Sequence, residues 1–275
     1  MPVYQAIVLG IVQGLTEFLP VSSTAHLTLV PWLFGWRDPG LTFDVALHTG
    51  TLIAVILYFW KIWLEMIGAA VGIGRPGDQE LAFKRKLFWL LVLGTIPAAI
   101  AGVLFESAAD KELRSPLVIG VALIVVAILM GIGDRVKDRE LMLERVGWGD
   151  TLWVGLSQAL AVIPGVSRSG ITMTAGLFRG MKRDTAARFS FLLSTPIIAG
   201  AALKKGMEVR HMGLAPDMRV PFVVGIIVSG LVGFAVIAWL IRYLEYRTFK
   251  VFVIYRLALG VLVLALGWGL RYHLG

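Results

Sequence analysis

Long apolar runs make up most of this chain, and the places where they are interrupted decide how it is read. A helix needs about 20 apolar residues to cross a ~30 Å hydrocarbon core. Six runs qualify: 43–64, 87–105, 116–133, 187–203, 221–241 and 251–269. Two further apolar regions do not. Region 4–34 is interrupted by Pro-Val-Ser-Ser-Thr at 20–24, and region 151–178 by Pro-Gly-Val-Ser-Arg-Ser-Gly at 164–170. Pro20 and Pro164 each remove a backbone donor, so neither region continues as one helix. The second limbs, 27–34 and 171–178, correspond to roughly 12 Å of helix, too short to cross. The pattern predicts an all-α polytopic membrane protein with six transmembrane helices plus two re-entrant helix–loop–helix hairpins.

The two interrupted regions match each other. At an offset of 145 residues Gly10 falls on Gly155, Gln13 on Gln158, Leu15 on Leu160, Val21 on Val166, Ser22 on Ser167 and Gly35 on Gly180. Leu47, Ile53 and Ala54 meet Leu192, Ile198 and Ala199 at the same offset, and Gly94 and Gly102 meet Gly225 and Gly233 at an offset of 131. The chain therefore reads as a single membrane domain, 1–275, with an internal duplication of approximately 1–110 and 146–245. An odd number of spans (43–64, 87–105 and 116–133) separates the hairpins, so they enter from opposite faces and the repeats are inverted. Inverted repeats with broken helices build polar sites near the bilayer midplane.

Composition strengthens the membrane reading. Charged residues are 16% and hydrophobic residues 57%, against about 25% charged in a soluble domain. No cysteine is present, which removes disulfides and thiol chemistry. The net charge of +8 is read as loop topology signals and headgroup contacts, not as a nucleic-acid surface. Fourteen Lys and Arg, among them Arg75, Lys84, Lys137, Arg139 and Arg247, fall on one face, and eight, among them Arg37, Lys111, Arg114 and Lys204, on the other. The richer face is expected to be cytoplasmic, which puts the first hairpin's opening and both termini outside. The start Met1 to Gln5 has no basic region, so a cleaved signal peptide is not expected.

The interruptions concentrate groups that lipid does not tolerate. In the second, Arg168 costs about 3 kcal/mol near the bilayer centre and needs an anionic partner. Gly165 and Gly170 allow close backbone approach, Ser167, Ser169 and Thr172 supply hydroxyls, and a restarting helix offers free N–H groups. With the planar Arg fork these make an oxyanion cradle suited to phosphate. The competing reading is a static strut between Arg168 and Glu17. In the first, Gln13 and Glu17 lie on one helix face and can hold a hard divalent cation. Glu17 can equally act as a base or orient His26. Ser22, Ser23 and Thr24 offer hydroxyl nucleophiles, and His26, three residues after Ser23, a general acid or base.

Gly-Leu-Thr-Glu-Phe-Leu-Pro-Val-Ser-Ser-Thr-Ala-His at 14–26 and Pro-Gly-Val-Ser-Arg-Ser-Gly-Ile-Thr at 164–172 closely resemble the two signature motifs of the undecaprenyl-diphosphate phosphatase family, also called the bacitracin-resistance family. The resemblance runs essentially end to end. It implies an integral membrane phosphatase that removes the terminal phosphate of undecaprenyl diphosphate, recycling the lipid carrier for peptidoglycan and conferring bacitracin resistance. It also implies a divalent cation, Mg²⁺ or Ca²⁺. Carried over by residue, the family's acidic pattern falls on Gln13 and Glu17, with Gln where many members have Glu, so Glu17 is the carboxylate that matters. The hydroxyl pair falls on Ser22 and Ser23, the histidine on His26 and the essential arginine on Arg168. Thr172 closes the second motif, with Ser167 and Ser169 as phosphate contacts.

Other polar residues carry less. Asp44 and His48 are read first as interfacial polar residues, with a place beside the site as the second reading. Trp60, Trp63, Trp148 and Trp153 read as interfacial anchors. The pairs Gly10/Gly14 and Gly176/Gly180 read as packing inside the chain, and a homodimer stays open. The rival function is a lipid or anion carrier, which would use the same clamp without needing Ser23 or His26.

Overall fold

The computed structural model describes residues 1–73, 78–105, 115–136 and 140–273, with the side chains of residues 212 and 268–273 left aside. The orientation charges on Arg75, Lys111, Arg114, Lys137 and Arg139 lie outside the described residues. Within them are eleven α-helices and two short 3₁₀ turns. The first broken region forms α1 (Val3–Phe18) and α2 (Ser23–Leu33); α3 (Leu41–Tyr58), α4 (Trp60–Ala70), α5 (Gln79–Leu104) and α6 (Pro116–Gly133) follow. The second forms α7 (Trp148–Ala159), a 3₁₀ turn at Leu160–Val162 and α8 (Arg168–Phe178); α9 (Arg183–Met212), α10 (Pro216–Tyr246) and α11 (Lys250–His273) complete the chain.

Six of these, α3, α5, α6, α9, α10 and α11, are long and apolar enough to cross a membrane. They correspond to the six expected runs with shifted ends. The largest difference is the first: the run 43–64 stops at Tyr58, where Phe59 takes φ −101° and ψ 21° and the chain restarts as α4. Large apolar side chains stay on the outer surface, among them Val103 (79% exposed) and Leu231 (69%). In water such a surface would aggregate, and in lipid it is the natural exterior. The chain is a multi-pass membrane protein.

Helices approach closely where glycines face each other. A Cβ on Gly10 would sit 3.1 Å from the Gly225 carbonyl on α10, and one on Gly14 2.9 Å from the Gly233 nitrogen. In the second half, a Cβ on Gly155 would sit 2.6 Å from the Gly94 carbonyl. So α1 packs on α10, and α7 packs on α5. Helices α6 and α11 pair through Gly120 and Gly260. Small residues at such crossings let backbones touch where no hydrophobic effect drives association. Both breaks end up in the interior between these pairs.

Candidate active site

Each break ends at a serine in an unusual conformation. Ser22 has φ +78° and Ser167 φ +69°, the two non-glycine residues with positive φ among the described residues. Each caps the helix that follows: Ser22 Oγ accepts from the Ala25 N–H at 3.4 Å, and Ser167 Oγ from the Gly170 N–H at 3.1 Å. The polar residues after each cap are thus in the first turn of a helix, not in a loop, and α2 and α8 begin at Ser23 and Arg168 rather than at 27 and 171. Such backbone strain, of order 1–3 kcal/mol per residue, persists where the surroundings over-determine it. Ser167→Gly should relieve the strain and lose only a few tenths of a kcal/mol as a cap, whereas Ser167→Ala keeps the strain and loses about 1 kcal/mol. Thermal unfolding in detergent is expected to rank Ser167→Gly at or above the native protein and Ser167→Ala below it.

The Glu17 carboxylate joins the two breaks. Its Oε1 accepts from Arg168 Nη2. Its Oε2 accepts from Ser23 Oγ at 2.9 Å and from Gln13 Nε2 at 3.0 Å, and lies 3.2 Å from His48 Nε2. The Glu17 side chain is only 5% exposed, and a carboxylate that far from water needs this many donors. A further tie runs from Ser169 Oγ to the Leu19 carbonyl at 3.2 Å. The His48 ring is fixed from behind, its Nδ1 donating to the Asp44 carbonyl at 2.7 Å.

Glu17, Ser22, Ser23, Thr24, His48, Gly165, Ser167 and Arg168 line one end of a cavity of about 520 Å³. The rest of its wall is mostly apolar: Ala98, Ala99 and Gly102 of α5, Ala161 and Ile163 near the second break, Ile197, Gly200 and Ala201 of α9, with Gln158 of α7 and exposed Lys204 as its polar members. A Cβ at Gly102 or Gly200 would meet nothing within 4 Å, so this part is a slot between α5 and α9. Ile197, Gly200, Ala201 and Lys204 recur at helical spacing, so one face of α9 forms that wall. A polar end with an acid, a hydroxyl and a guanidinium opens into a mostly apolar slot, an arrangement that fits an amphiphile with an anionic head.

The expected site residues divide into three groups. Glu17, Ser22, Ser23, Thr24, Gly165, Ser167 and Arg168 are at the wall. Ser169, Gly170 and Thr172 stand behind it: Thr172 Oγ1 donates to the Arg168 carbonyl at 2.7 Å and is 2.6 Å from Ser190 Oγ, which fixes the first turn of α8. Gln13 is fully buried behind Glu17, and its Oε1 has no hydrogen-bond partner among the described residues. That orphaned oxygen beside a carboxylate is the donor chemistry of a hard divalent cation. His26 is not brought to the cavity. Its Nδ1 donates to the Ser22 carbonyl at 2.7 Å, and its Nε2 accepts from the Tyr255 hydroxyl at 2.6 Å.

Two residues that the sequence reading ranked low or passed over belong to this region. His48, second-ranked there, is at the wall against Glu17. Arg256, unremarked within the run 251–269, is wholly buried and binds carbonyls of both breaks. Its signal was available: an arginine inside a membrane span is rare and usually functional.

The family model described as bacitracin resistance protein BacA matches residues 6–262. A protein from Pelotomaculum thermopropionicum named undecaprenyl-diphosphatase is 52% identical over 266 residues, 97% of either chain. Proteins with the same name from Moorella thermoacetica, 51% identical over 98% of this chain and 99% of that one, and Desulforudis audaxviator, 49% identical over 96% and 97%, are similar. With both signature breaks meeting at one acid and the family match spanning nearly every residue, the chain belongs to the BacA family.

Proposed function

We propose that this protein is an undecaprenyl-diphosphatase, hydrolysing the lipid diphosphate to undecaprenyl phosphate and inorganic phosphate. One observation carries the reading: Ser23, Glu17 and Arg168 share the polar end of a cavity whose remainder is a mostly apolar slot. The diphosphate sits against the N-termini of α2 and α8, whose free N–H groups favour anions. The isoprenoid chain leaves through the slot between α5 and α9. Arg168 turns its fork from Glu17 to the terminal phosphate. Ser23 Oγ attacks the terminal phosphorus, Glu17 takes the hydroxyl proton, and the bond to the bridging oxygen breaks, releasing undecaprenyl phosphate. Water then hydrolyses the phosphoserine. His48 keeps Glu17 aligned with Ser23.

A divalent cation, Mg²⁺ or Ca²⁺, would be held by Glu17 and the Gln13 Oε1, with phosphate oxygens completing its shell. When bound it would neutralise charge developing on the phosphoryl oxygens. Residues Ser22, Thr24, Gly165, Ser167, Ser169, Gly170 and Thr172 are read as the cradle, by direct contact or by support of the first helical turn.

The same reading takes the two broken regions as re-entrant hairpins of an inverted duplication, 1–110 and 146–245. Support comes from Ser22 and Ser167, paired by the offset and alike in φ and in capping. It also comes from the reciprocal packing of α1 on α10 and α7 on α5. The membrane is the bacterial inner membrane, with the cavity open to the outer side, as the charge asymmetry of 14 against 8 suggests.

Detergent-solubilised protein given a C55 or C15 diphosphate, with no gradient, tests the function. Phosphate release is expected, abolished by chelation and restored by Mg²⁺ or Ca²⁺. Transport without release would favour the carrier.

A further inference from the structure

Helix α11 contributes none of the described cavity-wall residues, yet it grips both breaks. Arg256 is fully buried inside this span, about two turns from its start at Lys250. Its Nη1 donates to the Pro20 carbonyl at 3.1 Å, and its Nη2 to the Gly165 and Val166 carbonyls at 2.9 and 3.1 Å. Its Nε reaches the Leu123 carbonyl of α6 at 3.3 Å. Breaking a helix frees carbonyls that lipid cannot satisfy. One rigid fork answers those of both breaks at once, which a lysine ammonium cannot do in the same geometry. A Cβ on Gly170 would lie 3.1 Å from Nη1, so the guanidinium also packs against the first turn of α8.

The preceding residue does the same for the first break alone. The Tyr255 hydroxyl donates to His26 Nε2 at 2.6 Å, with the two rings stacked at 5.7 Å. His26 Nδ1 donates to the Ser22 carbonyl at 2.7 Å. This relay ends one residue before Ser23. Both ring nitrogens are engaged, one by the backbone of the first break and one by α11.

We propose that α11 is the positioning element of this site: Arg256 sets both breaks, and Tyr255, through His26, sets the first, so that Ser23 and Arg168 address one phosphoryl group. His26 thereby acts as a strut for the nucleophile's turn. The inference rests on the phosphatase reading for its kinetic consequences, but its geometry has its own readout.

The two grips carry different kinetic signatures. Tyr255→Phe removes one hydrogen bond at the nucleophile side and leaves the Arg168 clamp untouched. It is expected to lower kcat about tenfold with KM within about twofold. His26→Gln should track it in both parameters. Arg256→Lys loosens nucleophile and clamp together, so kcat falls about a hundredfold and KM rises severalfold. A native kcat for Tyr255→Phe, or an inactive His26→Gln beside an unaffected Tyr255→Phe, overturns the inference, the second by making His26 a proton carrier.

The cysteine-free chain permits a second measurement that needs no turnover. Ser23→Cys places a single thiol at the wall, and the rate at which it forms a mixed disulfide with a negatively charged methanethiosulfonate, displacing methanesulfinate, reports how it faces Arg168. Adding Tyr255→Phe should slow that rate about fivefold. An unchanged rate overturns the inference. Absence of phosphate release by the native protein overturns the phosphatase reading instead. Should Arg256→Lys fail to fold, Tyr255→Phe carries both measurements.

Discussion

Arg168→Ala is expected to cut phosphate release from a prenyl diphosphate by about 10²–10³-fold, the usual loss when a positioned donor is removed from developing charge in a dry site. Arg168→Lys should recover only part of this, because a point charge does not replace a planar fork. The same substitution tests whether the arginine is a clamp or only a strut. The Glu17 and Arg168 side chains are 5% and 20% exposed, and removing one partner of a buried pair costs about 3–5 kcal/mol, somewhat less here because Arg168 is partly wet. Arg168→Ala should therefore unfold at lower temperature. Adding Glu17→Gln removes the stranded charge and should restore most of that stability while activity stays lost. Thermal unfolding and phosphate release measured on the same three samples separate the roles. Because Glu17 is itself the base, the single variant decides the role of Arg168: if folded Arg168→Ala released phosphate at a near-native rate, Arg168 would be a strut and the clamp would be wrong.

The six spans were legible because hydropathy over 20 residues is a bulk property that tertiary contacts do not alter. Their ends were not, and the reasons are local. The polar letters at 22–24 and 167–169 read as loop. In the fold, hydroxyl caps at Ser22 and Ser167 let helices restart at once, so Ser23 and Arg168 become first-turn residues. The stop at Phe59 has no Pro or Gly to announce it.

The site was legible where its parts lie within a break, and illegible where they come from elsewhere. Glu17, Ser23 and Arg168 were found because an acid, a hydroxyl and a guanidinium in apolar surroundings need each other. His26 looked equally placed, three residues after Ser23. Its Nδ1, however, binds the Ser22 carbonyl one turn back, and that contact swings the ring toward α11. His48 reaches Glu17 only because α3 folds against α1, a contact no spacing rule encodes. Arg256 bonds to residues 236 and 91 positions away. Only its oddity inside an apolar run could have flagged it.

Gly165→Ala strikes the second break through both its backbone angle and its packing. Gly165 has φ +95°, and a Cβ there would lie 2.6 Å from the Ile119 carbonyl oxygen and 3.0 Å from its Cα. The positive φ costs a non-glycine residue roughly 1–2 kcal/mol, and overpacking a tight interior about 1–3 more. Relief by moving is blocked, since Arg256 Nη2 holds the Gly165 carbonyl at 2.9 Å and α6 backs it through Ile119. Any shift that frees the methyl drags Ser167 and Arg168 with it. Gly165→Ala is therefore expected to lose about 3 kcal/mol of stability and nearly all phosphate release, even where folded protein is recovered. Gly149→Ala is the control: its Cβ would meet nothing within 4 Å and its φ is not positive, so stability and turnover should stay near native. Equal, mild effects at both positions would mean that the second break tolerates displacement, and that its backbone does not set where the guanidinium points.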